Sequence, residues 1–398
     1  MQSDAVNVKP LISGNPRPVS YKVRHYFELL TEDNIVVMGI EIFVYLQVYN
    51  AYFEQYVFVP KCDTVGLERL DFKVGKVVEV CLQWVLKYSP NNYKTPRKNC
   101  QEESSKSFST DPETVYRIRR LQKMLKDDNS LIQRWNSYPK FKDDSINSKI
   151  FISLPPKRRL HIAFFTKASP SYLFPNSDRN PFKRVASGPK LLRWWMRIVG
   201  NVTNDQKWKR CLDIPGADAN EIAKYLGDGW QHGNIYAKDG LAVKSIPLFP
   251  DDPKGRFLEH LIVEGRHSKV STKSFYHEIG FRQEFRLGDV VGLIGCTLKS
   301  DEFNSAQDET ILPITSLSSY KRFLRDTKSI DYSNRSQSIM DTKSILEEAN
   351  VFNFRGLCSE CLQSSSQSQK LPVNNLQNLI KKRPANDLTA QIRKKAKK

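Results

Sequence analysis

The residues best suited to chemistry lie in Ile246-Pro-Leu-Phe-Pro-Asp-Asp-Pro-Lys-Gly-Arg-Phe257, where Asp251 and Asp252 stand side by side and Lys254 follows. Adjacent carboxylates beside a lysine can accept and return protons, the work of general acid–base catalysis. They also have a plainer use. Pro247, Pro250 and Pro253 bias the residues before them toward extended backbone. Asp252 then takes an N-cap position with Pro253 at the first helical residue, and Phe257, Leu258, Leu261 and Ile262 recur at helical spacing. Spacing alone leaves both readings open. The partial positive charge of a helix N-terminus favours the charged carboxylate in either.

Two other stretches bear on a site. Lys61-Cys-Asp-Thr-Val-Gly66 lies between a strand predicted over 55–60 and a helix predicted from Val74 to about Tyr88, in which Val74, Val77, Val78, Cys81, Trp84, Val85 and Tyr88 form one face. A glycine-bearing loop that feeds a helix N-terminus is a common cradle for phosphate or pyrophosphate, and equally an ordinary connection. Farther on, Leu160-His-Ile-Ala-Phe-Phe165 reads as a strand, and the aromatic, proline-bearing loop from Thr166 to Pro175 reads as a pocket wall. Ser187-Gly-Pro opens a helix carrying Leu191, Leu192, Trp194, Trp195, Ile198 and Val199. Adjacent tryptophans on a helix cannot face the same way, so one belongs to the core and the other is free to line a cavity, unless both are structural.

The elements that must position these residues make an α/β protein. The 398 residues, 39% hydrophobic, are enough for a substantial core in one large domain. Ile35–Tyr49 alternates like a strand, Asp218-Ala-Asn-Glu221 is a capping box for a helix ending near Gly227, and Leu287–Leu298 reads as a late strand. Residues 1–20 read as a flexible arm. The polar run 95–110 reads as a mobile insertion, and Asp111-Pro112 starts a basic-faced helix. From 331 to 398 the composition turns to Ser, Gln and Asn, then to Lys381-Lys-Arg383 and Arg393-Lys-Lys-Ala-Lys-Lys398, a disordered tail with a bipartite nuclear-import pattern.

The net charge of +19 calls for an acidic partner, protein or nucleic acid. Seven scattered cysteines suit a reducing compartment, and the lone Cys358-Ser-Glu-Cys361 lacks a second ligand pair, so no metal is expected. The N-terminal sequence does not read as a secretory signal and no run reads as a membrane span.

Tyr-Leu-Phe-Pro at 172–175, Trp194-Trp195, Ile-Pro-Gly at 214–216, Trp230-Gln231, Ile246–Phe257 and Arg282-Gln-Glu-Phe285, in this order, resemble the fungal histone H3 lysine acetyltransferases of the regulator of Ty transposition type. The resemblance runs from about residue 21 to 330. It implies a single acetyltransferase domain with a mixed central sheet flanked by helices, distantly similar to CREB-binding-protein-type enzymes. It implies acetyl-CoA as cosubstrate, and acetylation of an H3 lysine near the nucleosomal DNA entry site and of H3 tail lysines. Histone chaperones of the NAP and anti-silencing types would assist, in the nucleus, in replication-coupled chromatin assembly and genome stability.

Carried over residue by residue, the resemblance implies that Cys62, Asp63, Thr64, Asp71, Phe72, Lys73, Val74 and Gly75 meet acetyl-CoA. Phe165, Ser169, Arg184, Val185, Ala186 and Trp194 would complete that site. Cys62 and Ser169 stand where the family has alanine, and Arg184 where it has histidine. Tyr172 and Trp195 would line the channel for the acceptor lysine, Asp63, Asp251 and Asp252 would lie near its amine, and Lys254 would be autoacetylated. A lysine with a pKa near 10.4 is neutral in only on the order of one in a thousand molecules at pH 7, so the attacking amine needs a proton acceptor. Asp252 is the residue chosen for that role, with direct transfer preferred to a Cys62 acyl intermediate.

Histones are basic, so a basic enzyme and its substrate repel at long range; an acidic chaperone would resolve this. The basic tail could also touch DNA. Two other classes compete. A non-catalytic basic chromatin-binding module explains the charge but not the Tyr172, Trp195 and Asp252 constellation. A phosphate-binding enzyme of another type lacks its fingerprint, because neither a P-loop nor a dinucleotide motif is present.

Overall fold

The computed structural model describes residues 1–12, 16–96, 149–205, 207–237, 239–250, 252–282, 285, 289–300 and 313–349. The predicted insertion from 97 on, the helix after Asp111, Asp251 and the basic tail lie outside them. In chain order the strands are β1 (Gln2–Ser3), β2 (Val6–Asn7), β3 (Val19–Leu30), β4 (Val36–Val48), β5 (Tyr52–Thr64), β6 (Lys94–Pro96), β7 (Lys149–Phe151), β8 (Lys157–Thr166), β9 (Trp208–Asp213), β10 (Trp230–His232), β11 (Gly292–Ser300) and β12 (Ile314–Thr315). The helices are α1 (Val74–Lys87), α2 (Gly188–Val202), α3 (Ala219–Ala223), α4 (Ala242–Ser245), α5 (Pro253–Val263), α6 (Thr272–Ile279), α7 (Leu317–Ser329) and α8 (Arg335–Glu348).

One sheet runs in the order β10-β9-β11-β8-β5-β4-β3-β1-β12, with β2 beside β3. It is mixed, as expected: β3, β4 and β5 form an antiparallel meander, whereas β5 pairs with β8 in parallel. Successive residues of a strand face opposite ways, so each side of the sheet can be followed along β8. Ile162 and Phe164 face α1 and α2, where Trp195 meets Phe164 at 4.8 Å between ring centroids. His161 and Ala163 face the other way; His161 stacks on Tyr56 at 4.5 Å, and Phe249 stacks on Phe58 at 4.5 Å on that side. A second apolar cluster there joins Ala242, Ile246, Phe257, Leu258, Leu261, Phe275 and Leu293.

Four boundaries differ from the sequence reading. Residues 1–12 are no arm: Gln2 and Ser3 pair with Ile314 and Thr315, Val6 and Asn7 pair with Lys22 and Tyr21, and Ala5 and Leu11 are buried. Lys61–Thr64 is no loop either, because these polar residues still pair with Met38–Glu41 of β4. The capped helix at Asp218 ends at Ala223, and the chain reaches Gly227 through tight turns. Past 330 the chain stays ordered through α8, capped by the Asn334 side chain on Gln337 N, with Tyr332 fully buried.

His25 shows what burial does to a base in this core. Its Nε2 lies 3.0 Å from the Tyr93 hydroxyl, and Trp84 and Tyr88 surround the ring. Burial, helped by the nearby terminal ammonium, lowers its pKa to about 3. The unfolded chain binds this proton below about pH 6.5 and the folded chain does not, so stability falls as pH drops through that window. Thermal or urea melts should show His25 alone costing about 2 kcal/mol at pH 5 relative to pH 7.5, and His25→Gln should flatten the slope.

Candidate active site

Asp252 holds the cap position that its spacing announces. Its Oδ1 accepts from Lys254 N at 2.9 Å, Pro253 is the first residue of α5, and the aspartate is 1% exposed. Its Oδ2 lies 2.7 Å from Lys254 Nζ, an ion pair closed from water on both sides. Cap and charge partner are thus one carboxylate. A small cavity lined by Ala163, Asn234, Ile235, Tyr236, Tyr276 and Lys254 adjoins the pair. Burial raises the Tyr236 and Tyr276 hydroxyl pKa values, and the Asp252 charge pushes both the same way, so these phenols stay neutral donors. Neither tyrosine stood out in the sequence.

Asp63 anchors a loop. Its Oδ2 accepts the backbone N–H of Tyr172 and Leu173, each at 2.9 Å, and more weakly that of Phe174 at 3.5 Å. Its Oδ1 accepts from Thr64 N and from Lys183 Nζ, both at 2.8 Å, and Lys183 also donates to Ser177 Oγ at 2.6 Å. With both oxygens occupied and the side chain 8% exposed, Asp63 fixes the backbone of the Tyr172 loop. Lys183 is a site residue that the sequence does not reveal, since it reads there as one more surface lysine.

The loop docks on bare backbone. At Gly39, opposite Asp63 on β4, an added Cβ would come within 2.7 Å of the Tyr26 hydroxyl, 2.8 Å of Phe174 and 2.9 Å of Leu173. A glycine inside an otherwise apolar strand is the signal that could have marked this approach. Gly39→Ala should therefore displace Leu173 and Phe174, cost about 1–3 kcal/mol in urea denaturation and lower activity.

The residues that the resemblance assigns to the cofactor come from three elements. Gly75 opens the first turn of α1 close to Trp194: a Cβ there would lie 3.2 Å from the indole Nε1. That helix start has no side-chain cap and no acidic residue in its first turn, while Lys73 and Lys76 flank it. Phe72 and Val74 pack against the core, and Asp71 is exposed. Phe165 and Ser169 are half-buried, Arg184 and Val185 are exposed, and Ala186 is half-buried. Burial raises the Cys62 thiol pKa and the Asp63 charge adds to it, so the sulfur is no thiolate nucleophile. Tyr172 is exposed, with Lys61 Nζ 5.4 Å from its ring.

Of the two tryptophans, Trp195 is the core residue, 5% exposed between Phe164 and Trp194, and Trp194 is the half-buried one. The structure thus gathers Lys61–Thr64, Tyr172 and Lys183 into one group and Gly75 with Trp194 into another. Asp252 and Lys254 form a third, on the side of β8 opposite Trp195.

Among the described residues no group of His, Cys, Asp and Glu is placed to hold a metal ion, and no helix is long and apolar enough to cross a membrane. The histone acetyltransferase KAT11-type domain model matches residues 1–379. A histone acetyltransferase RTT109 of Candida albicans is 45% identical over 324 residues, 80% of this chain and 86% of that protein. Another, from Schizosaccharomyces pombe, is 31% identical over 156 residues, 35% of this chain and 41% of that protein. The crystal structure of Rtt109 from Aspergillus fumigatus shares the fold, with a TM-score of 0.59 at 18% identity over 87% of this chain and 90% of that one.

Proposed function

Because this chain belongs to the KAT11-type histone acetyltransferase family, we propose that it acetylates lysines of histone H3, at the nucleosomal DNA entry site and on the tail, and that Asp252 takes the proton from the acceptor amine. The observation that supports this reading most is the 2.7 Å contact of Asp252 Oδ2 with Lys254 Nζ. A buried carboxylate that already receives one lysine ammonium has the shape and charge to receive another.

The residues present fit acetyl-CoA. The uncapped N-terminus of α1 with Lys73 and Lys76 suits a phosphate, and the glycine at 75 keeps the helix start open against Trp194. Acetyl-CoA supplies the activated acetyl group as a thioester. Lys61–Thr64, Asp71–Gly75, Phe165, Ser169, Arg184–Ala186 and Trp194 would hold it. Tyr172 would guide the lysine stem, since aromatic walls favour a cation and its methylenes, and Trp195, packed between Phe164 and Trp194, would hold Trp194 in place. The neutral Cys62 thiol supports direct transfer over an acyl-cysteine route.

Asp251 would assist Asp252 near the amine. Lys254, 4% exposed, would be acetylated from within the site, and loss of its charge would free Oδ2 for the incoming amine. A NAP-type and an anti-silencing chaperone would present H3–H4 to this basic enzyme in the nucleus, in replication-coupled assembly and genome stability, with DNA a further contact for the basic tail.

Transfer from labelled acetyl-CoA to H3–H4, with and without an acidic chaperone, tests the assignment. The wild type should label H3, more strongly with the chaperone, and Trp195→Ala should reduce labelling at least about tenfold. An unlabelled histone together with retained DNA or chaperone binding would instead favour the non-catalytic chromatin module.

A further inference from the structure

Asn180 lies outside the acetyl-transfer machinery described above, yet it is 6% exposed and both of its amide hydrogens are used. Nδ2 donates to the carbonyl of Val65, just past the end of β5, and to the carbonyl of Tyr332, between α7 and α8, each at 2.9 Å. The same inter-helix segment grips the Tyr172 loop a second time. Tyr332 N donates to Pro175 O at 3.1 Å, and its fully buried ring meets Phe174 edge-on at 4.8 Å. Next to Pro175, Asn176 is held in the left-handed conformation at φ 59°. The loop is therefore fixed at both ends, by Asp63 before Tyr172 can swing out and by Asn180 and Tyr332 behind it.

We propose that Asn180 and Tyr332 are positioning residues for acetyl transfer, making the α7–α8 junction a strut that fixes Tyr172 against the end of β5. Neither residue needs to touch substrate. The strut transmits to activity whatever strains or steadies the helical pair, because the carbonyls that Asn180 joins belong to two different parts of the fold. This inference rests on the reading of Tyr172 as a wall of the lysine channel.

A double-mutant cycle on the full chain tests it, with kcat/KM for H3–H4 as readout and a melt for each variant. Asn180→Ala should lower kcat/KM about tenfold in the wild-type background. In a Tyr172→Ala background the same change should cost less than about twofold, because its effect runs through a side chain no longer there. Tyr332→Leu should behave like Asn180→Ala, and Tyr332→Phe, which keeps the ring and both backbone bonds, should remain near wild type. Asn180→Ser, a small neutral side chain that cannot bridge both carbonyls, replaces the alanine variant should that one fail to fold. Additive losses, or an Asn180 variant as active as wild type while Tyr172→Ala is impaired, would overturn the strut and leave the channel reading intact. A fully active Tyr172→Ala would overturn both.

Discussion

Asp252→Asn should lower kcat/KM for histone acetylation by at least about 100-fold, the low end of what a positioned proton acceptor contributes. The cap itself survives the change, since asparagine caps a helix about as well as aspartate and its oxygen can still accept from Lys254 N. What disappears is the charge 2.7 Å from Lys254 Nζ, leaving an ammonium with 4% exposure and no counter-ion. Removing one member of such a buried pair costs about 3–5 kcal/mol, so the single variant confounds stability with chemistry. Asp252→Asn/Lys254→Met separates them. The stranded charge is gone, so denaturation midpoints should return most of the way to wild type while transfer stays lost. Recovery of activity along with stability would reduce Asp252 to a helix cap.

Asp63→Ala should be nearly as damaging through a different route. It removes the acceptor for the N–H groups of Tyr172 and Leu173 and strands Lys183, whose side chain is 3% exposed, at a cost of about 3–5 kcal/mol. Asp63→Asn should fare little better, because an amide nitrogen placed where Oδ1 or Oδ2 now sits would face donors with a donor. Hydrogen exchange gives the distinguishing measurement. The Tyr172 and Leu173 amides should lose protection out of proportion to the global loss of stability, and kcat/KM should fall at least about tenfold. Unchanged protection at these two amides would mean that the loop holds itself.

How legible each feature is in the sequence follows from the range of the interactions behind it. The Asp252 cap, α1 and α2 rest on contacts within a few residues, so periodicity and cap chemistry place them within a residue or two. The role of Asp63 depends on an amide 109 residues away and an ammonium 120 residues away, and no local pattern carries that. Cys62-Asp63-Thr64 looks like loop because its side chains are polar, while strand pairing with Met38–Gly39–Ile40 is a backbone affair. The segment after 330 misleads for a related reason. The buried side of α8 includes Ser338 and Thr342, so a composition rich in Ser and Asn hides a helix that packs. Strands β4 and β5, by contrast, are plain in the sequence through their Val, Ile and Phe content, whereas the mixed order of the sheet is implied by the family resemblance alone.

The pairing of Gln2–Ser3 with Ile314–Thr315 also sets a timetable for synthesis. The β3–β4–β5 meander joins near neighbours and can form while the rest of the chain is still being made. Among the described residues the outer side of the two-residue β1 is paired by β12, so a growing chain carries that short stretch of backbone unpaired until translation passes residue 315. Ribosome pausing upstream of that point prolongs the unpaired state, and premature termination makes it permanent. Fragments ending before β12 also lack Tyr320, Phe323 and Leu324, leave the apolar residues Tyr26, Val36 and Val65 uncovered, and should aggregate in cells even though every strand of the central meander is present.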